Sequence, residues 1–169
     1  MAHRSGFVNI IGNPNVGKST LMNALVGERL SIITSKAQTT RHRIVGIVNG
    51  EDFQIVYSDT PGILKPAYKL QSAMMKFVES ALEDADVILY ITDTVETPNK
   101  NEEFLNRLKQ LGTPIILAIN KVDLSEQDKV AALVAQWAEI IPEARILPIS
   151  ALHKFNTEAL IKMVSEQLP

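Results

Sequence analysis

Gly12-Asn13-Pro14-Asn15-Val16-Gly17-Lys18-Ser19-Thr20 decides the fold of this chain. It reads G-x-x-x-x-G-K-S, the spacing of a phosphate-binding loop. Phe7-Val8-Asn9-Ile10-Ile11 before it is a short apolar run of strand type, and Thr20 to Val26 after it is a helical run. That strand–loop–helix setting gives the motif its physical meaning. Glycines let backbone N–H groups curl around phosphate oxygens with no Cβ in the way. The following helix turns its positive end on the same anion. Lys18 adds a mobile positive charge for the outer phosphates, and the Ser19 hydroxyl suits magnesium. Asn13, Asn15, Val16, Gly17 and Thr20 complete the expected cradle.

Composition sets the outer bounds. The 169 residues fit one domain spanning 1–169, and 46% hydrophobic residues support a real core. A net charge of −2 argues against a nucleic-acid binder over the domain as a whole, though it permits a local basic patch. With no cysteine there is neither a disulfide nor a thiolate metal site, which fits the cytosol. No run approaches the ~18 apolar residues of a membrane span. The start, Met1 to Gly6, leads into a strand and not a signal-peptide core.

Along the chain, Gly27 is a natural helix stop, and residues 28–41 form a long polar stretch of the kind that is functional or mobile. Ile44–Val48 and Phe53–Tyr57 flank Asn49-Gly50, which predicts an antiparallel hairpin. Leu70, Ala73, Met74, Phe77, Val78, Ala81 and Leu82 recur at spacings of three and four, one buried helix face with its methionines as core filler. Val87–Ile91 and Ile115–Ile119 are continuous apolar runs, as central parallel strands require. Further helices are expected around Phe104–Leu111, Val130–Trp137 and Leu160–Leu168, the last capped by Asn156. Arg145–Ile149 reads as an edge strand because Pro148 lacks a ladder donor. Strands alternating with helices predict an α/β fold, a mostly parallel sheet covered on both faces. Ligands in such sheets bind at the carboxyl ends of the strands.

The polar motifs all fall at those ends. Asp59-Thr60-Pro61-Gly62 follows a strand; Asp59 would hold magnesium through water, and the Gly62 N–H would reach a terminal phosphate. Alone, D-x-x-G is also an ordinary turn. Asn120-Lys121-Val122-Asp123 discriminates the base. A carboxylate in the plane of guanine accepts from its ring N–H and its amine, whereas adenine offers no ring N–H there. Lys121 would lay its aliphatic stem along the base or ribose, and Asn120 would brace neighbouring loops. The alternative for Asp123 is a helix cap. Ser150-Ala151-Leu152 ends the last strand, where the Ala151 N–H would meet the guanine carbonyl. In the long loop, Thr40, or its neighbour Thr39, would complete the magnesium shell opposite Ser19 while a γ-phosphate is bound.

These elements in order resemble the GTPase superfamily. Within it, G-x-P-N-V-G-K-S, then Ser31–Ile47 (S-x-x-x-S-K-A-Q-T-T-R-H-R-I-x-G-I), D-T-P-G and N-K-x-D resemble the Era family of bacterial ribosome-assembly GTPases. The resemblance implies a three-layer P-loop NTPase with a six-stranded, mostly parallel sheet, one antiparallel hairpin and five helices. It implies a magnesium-dependent switch that binds GTP and GDP and hydrolyses GTP slowly, in the maturation of the small ribosomal subunit and its 16S rRNA. It implies a monomer in the cytoplasm, with peripheral contact to the inner membrane. Family members carry a KH domain for RNA. This chain stops at Pro169 with no G-x-x-G segment to spare, so RNA contact is expected mostly through that missing domain.

The mechanism has one gap. Many GTPases orient the attacking water with a Gln after D-x-x-G; here Ile63 stands there and cannot bond water. The catalytic set expected is Lys18, Thr40, Gly62 and Asn15. In relatives with Asn at the place of Asn15, a potassium ion does the work of an arginine finger; the alternative is that Asn15 only shapes its loop. His3, His42 and His153 are read as structural or surface residues; Lys36, Arg41, His42 and Arg43 are read as a solvated basic face, the alternative being a contact to RNA or to a partner that senses nucleotide state. Three functions follow: a GTP-hydrolysing switch, a guanine-nucleotide module with negligible turnover, and an ATP-dependent enzyme. Asn120 and Asp123 speak against the last.

Overall fold

The computed structural model describes residues 4–12, 17–26, 43–59, 85–94, 109 and 112–168. The first apolar run grows at both ends into strand β1, Arg4–Gly12. Helix α1, Lys18–Val26, starts on the motif lysine. Strands β2 (Arg43–Asn49) and β3 (Phe53–Asp59) pair antiparallel, with a bulge between Ile44 and Gly46. Their turn is Gly50-Glu51-Asp52, closed by Gly50 N–H donating to Phe53 O at 2.8 Å. Asn49-Gly50 thus marks the hairpin without forming a two-residue turn. Glycine is needed at 50 for space, because a Cβ would meet the Phe53 ring.

Strand β4 is Val87–Asp93 and β5 is Ile115–Asn120. A 3-10 turn over Val122–Leu124 leads to helix α2, Gln127–Ile140. Strand β6, Arg145–Pro148, and helix α3, Thr157–Gln167, finish the fold. The sheet order is β2-β3-β1-β4-β5-β6, and every pair except β2–β3 is parallel. β6 lies at the edge, as Pro148 requires.

All residues of β4 and β5 are buried, which their unbroken hydrophobicity anticipates. Pleating splits them between two cores. Val87, Leu89, Ile91, Ile116 and Ala118 join Leu21 and Leu25 of α1 and Leu160 and Val164 of α3 on one face. Ile88, Tyr90, Ile115, Leu117 and Ile119 meet Leu133 and Trp137 of α2 on the other. Each fully buried Leu or Ile contributes about 1.5–3 kcal/mol, so a sheet loaded on both sides becomes a stiff platform. The expected α/β architecture is borne out. Of the five expected helices, α1, α2 and α3 fall among the described residues; the one over 70–82 and the Gly27 stop lie outside them, and of the one over 104–111 only Lys109 is described, in helical conformation.

Asn156 behaves differently from its expected capping role. It precedes α3 in the left-handed region (φ 62) and makes no side-chain cap. Its Nδ2 donates instead to Pro148 O at 2.9 Å, tying the β6–α3 loop to the strand end.

Candidate nucleotide-binding site

Parallel pairing brings the carboxyl ends of five strands to one edge of the sheet. Register sets Asp59 beside Ile10, Ile91 beside Gly12, and Asp93 beside Asn120. Lys18 and Ser19 open α1 at that same edge. The phosphate, metal and base motifs, far apart in sequence, therefore converge.

Asn120 joins two of them. Its side chain is buried, and its Oδ1 accepts from Ala151 N–H at 2.9 Å. Its amide also lies against Gly17 of the phosphate loop. Gly17 has φ +89, and a Cβ there would run into Asn120 Nδ2. Only glycine suits both demands. The Ala151 amide, expected to face the guanine carbonyl, is thus engaged by Asn120 in this structure.

Asp123 reaches the site because Lys121 takes a left-handed conformation (φ 63, ψ 28) and turns the chain sharply out of β5. Val122 N–H then donates to Ile149 O at 3.2 Å. Ser150 Oγ donates to Asp123 Oδ1 at 2.8 Å, and His153 Nε2 lies 3.4 Å from Oδ2. The Ser150 bond holds the Asp123 carboxyl below the ordinary aspartate range. Some desolvation opposes this, while the residue's own amide and His153 reinforce it. Asp123 is therefore a ready anionic acceptor at neutral pH. It sits in the 3-10 turn and not at the start of α2, so the helix-cap alternative falls away.

Two further residues belong to this cluster. Asp93, buried at the end of β4, puts Oδ2 3.2 Å from Lys121 Nζ. Thr94 Oγ1 donates to Lys121 O at 3.4 Å. Asp93 carries no motif; its only sequence signal is a carboxylate straight after a buried strand run. His153, read as a surface residue, faces Asp123 across a loop boundary that sequence spacing does not reveal.

The loop carrying Ser150, Ala151 and Leu152 is closed by two backbone bonds between Ser150 and Phe155, at 2.9 and 3.1 Å. Leu152 itself is exposed. Asn13, Asn15, Val16, Thr39, Thr40, Gly62, Ile63, Lys36, Arg41 and His42 lie outside the described residues. The donors expected for magnesium at this edge are a hydroxyl (Ser19) and a carboxylate (Asp59), the hard oxygen set that ion prefers. Among the described residues no group of three or more His, Cys, Asp or Glu could hold a metal ion.

Residues 7–121 match the model of the 50S ribosome-binding GTPase family. The chain belongs to that family. Among GTPases it is similar to GTPase Era of Clostridium kluyveri, 45% identical over 167 residues, covering 98% of this chain and 57% of that protein. It is also similar to a structure of Era in complex with MgGDPNP and nucleotides 1506–1542 of 16S ribosomal RNA. That likeness has a TM-score of 0.79 and 41% identity, over 99% of this chain and 58% of the other. A structure of an Aquifex aeolicus Era variant bound to GDP·AlF4− gives 0.78 and 41%, over 98% and 57%. The likeness to Era carried by Ser31–Ile47 is borne out across nearly the whole chain. The chain spans a little over half the length of the curated GTPases it matches.

Proposed function

We propose that this chain is the nucleotide-handling part of an Era-like switch. It binds GTP and GDP with magnesium and hydrolyses GTP slowly, in the service of small-subunit maturation. The observation that supports this best is Asp123: an anionic acceptor fixed by Ser150 at the end of β5, beside an Asn120 that touches Gly17 of the phosphate loop.

The residues divide the work as follows. Asn13, Asn15, Val16, Gly17, Lys18, Ser19 and Thr20 surround the phosphates. Asp123 takes the ring N–H and amine of guanine, Lys121 lies along the base, and Ser150, Ala151 and Leu152 flank it. Magnesium, held by Ser19, Asp59 and Thr40, would offset charge on the β- and γ-phosphate oxygens. Water attacks the γ-phosphorus, and the bond to the β–γ bridging oxygen breaks. GDP leaves with that electron pair, and the proton of the water ends on phosphate. Lys18 and the Gly62 amide stabilise the charge that builds during this transfer. Thr40 leaves when the γ-phosphate goes, and that departure is the switch.

Phosphate release from GTP with protein in excess tests the reading. Slow release from GTP and none from ATP is expected. GTP binding with no release above the buffer rate would leave a binding module without turnover. Asn15 is assigned a potassium ion, which would do the work of an arginine finger in a site where Ile63 cannot bond the attacking water; equal rates in potassium and sodium buffers would remove that role.

The partner assignment follows the Era likeness, which spans nearly the whole chain, over the family's 50S description, which rests on residues 7–121. The partners are guanine nucleotide and the 16S rRNA of the small subunit. The setting is the cytoplasm, as a monomer, with peripheral contact to the inner membrane. Sedimentation with ribosomal subunits, and separately with anionic vesicles, tests these two contacts.

A further inference from the structure

We propose that His153 and guanine compete for the same carboxylate, so that His153 sets how tightly, and at what pH, guanine nucleotide binds. The proposal rests on the reading of Asp123 as the guanine acceptor.

Guanine needs both oxygens of Asp123, one for the ring N–H and one for the amine. Both have partners: Ser150 Oγ on Oδ1 at 2.8 Å and His153 Nε2 on Oδ2 at 3.4 Å. The two partners are held very differently. Ser150 is 2% exposed and pinned by its two backbone bonds to Phe155. It stays, and its hydroxyl uses only one lone pair of Oδ1. The His153 side chain is 62% exposed. It sits next to Lys154, which adopts a left-handed conformation (φ 55), on the open side of the loop. Rotation about its side-chain bonds carries it into water. Guanine therefore displaces His153 and leaves Ser150 in place.

The titratable groups on the elements that meet here are Asp123, Lys121 with its partner Asp93, Glu126 and Asp128 at the start of α2, Lys154, and Glu158 in the first turn of α3. Of these, Asp123 makes the ion pair with His153. An imidazolium grips a carboxylate harder than a neutral ring does. Histidine is the side chain that gains charge on mild acidification, and Asp123, held below the ordinary aspartate range, stays ionised there. Acidification therefore strengthens the competitor while the acceptor stays charged, so guanine affinity falls as pH falls and recovers as it rises.

The experiment measures GDP affinity between pH 5.5 and 8.5 for the wild-type chain, His153→Ala and His153→Gln. Taking the ratio of variant to wild type at each pH cancels the titration of the terminal phosphate. Both variants are expected to bind GDP about two- to fivefold tighter than wild type at pH 5.5, the scale of a half-exposed ion pair. The ratio should approach one at pH 8.5. A ratio that does not change with pH, or looser binding by the variants, would overturn the proposal. Asp123→Asn with xanthosine diphosphate is the companion arm. A gain of xanthine binding there, with a flat His153 ratio, rejects the competition alone; retained guanine preference rejects the acceptor reading beneath it.

Discussion

Replacing Asn120 with alanine removes an acceptor that a buried amide depends on. Ala151 is 3% exposed, and its N–H donates to Asn120 Oδ1 at 2.9 Å. With no acceptor, that amide bears a desolvation penalty of about 1–3 kcal/mol. For a chain of this length the loss lowers the melting temperature by about 2–12 °C. Asn120→Asp keeps the oxygen and is expected to recover part of this loss. The contact with Gly17 adds a second, sharper test. Gly17→Ala forces a side chain into the left-handed region, at about 1–2 kcal/mol, and drives its Cβ into Asn120 Nδ2. Asn120→Ala deletes the atom it strikes. The double variant should therefore be less destabilised than the sum of the singles, by about 1 kcal/mol or more. Urea unfolding can be followed by Trp137, the single tryptophan. Additivity within about 0.3 kcal/mol, or a melting temperature for Asn120→Ala equal to wild type, would refute the claim that this side chain couples the two loops.

Asp93→Asn removes the charge that faces Lys121 Nζ at 3.2 Å; GDP affinity should fall about fivefold with the fold intact, checked by titration calorimetry alongside circular dichroism. Trp137 is 1% exposed and tilts against Tyr90, with ring centroids 5.8 Å apart. Trp137→Ala should cost about 3–5 kcal/mol in urea unfolding followed by circular dichroism. Tyr57 is buried and its hydroxyl has no hydrogen-bond partner among the described residues. Burial raises its phenol pKa well above the ordinary value, so the unfolded chain loses that proton first. Stability from this group is intact below about pH 10 and declines above it by about 1.4 kcal/mol per pH unit. Tyr57→Phe should show a shallower alkaline decline than wild type and equal or greater stability at neutral pH.

The fold was legible where local pattern and tertiary demand agree. Val87–Ile91 and Ile115–Ile119 are apolar throughout because both faces of a central strand are covered, and both runs are buried strands. Pro148 announced an edge, and β6 is one. The candidate base-recognition cluster was half legible. Asn120 and Asp123 stand in a spaced motif, but Asp93 and His153 matter only through neighbours on other strands and loops, which no spacing encodes. Asn156 shows the limit of a local rule. An Asn before a helix is expected to cap it, yet the left-handed turn that closes this loop points its amide to Pro148 O. The Asn49-Gly50 hairpin was right in kind but longer in its turn, which closes with Gly50 N–H donating to Phe53 O.

The central claim is that Asp123 makes this a guanine site. Displacement of a fluorescent GDP by unlabelled GDP, ADP and xanthosine diphosphate in wild type, and titration calorimetry of the same three nucleotides with Asp123→Asn, test it directly. The account predicts that GDP alone displaces the probe from wild type. Asp123→Asn should lose GDP and gain the xanthine nucleotide, whose edge accepts where guanine donates. Displacement by ADP as effective as by GDP, or an Asp123→Asn chain that still prefers GDP, would contradict it.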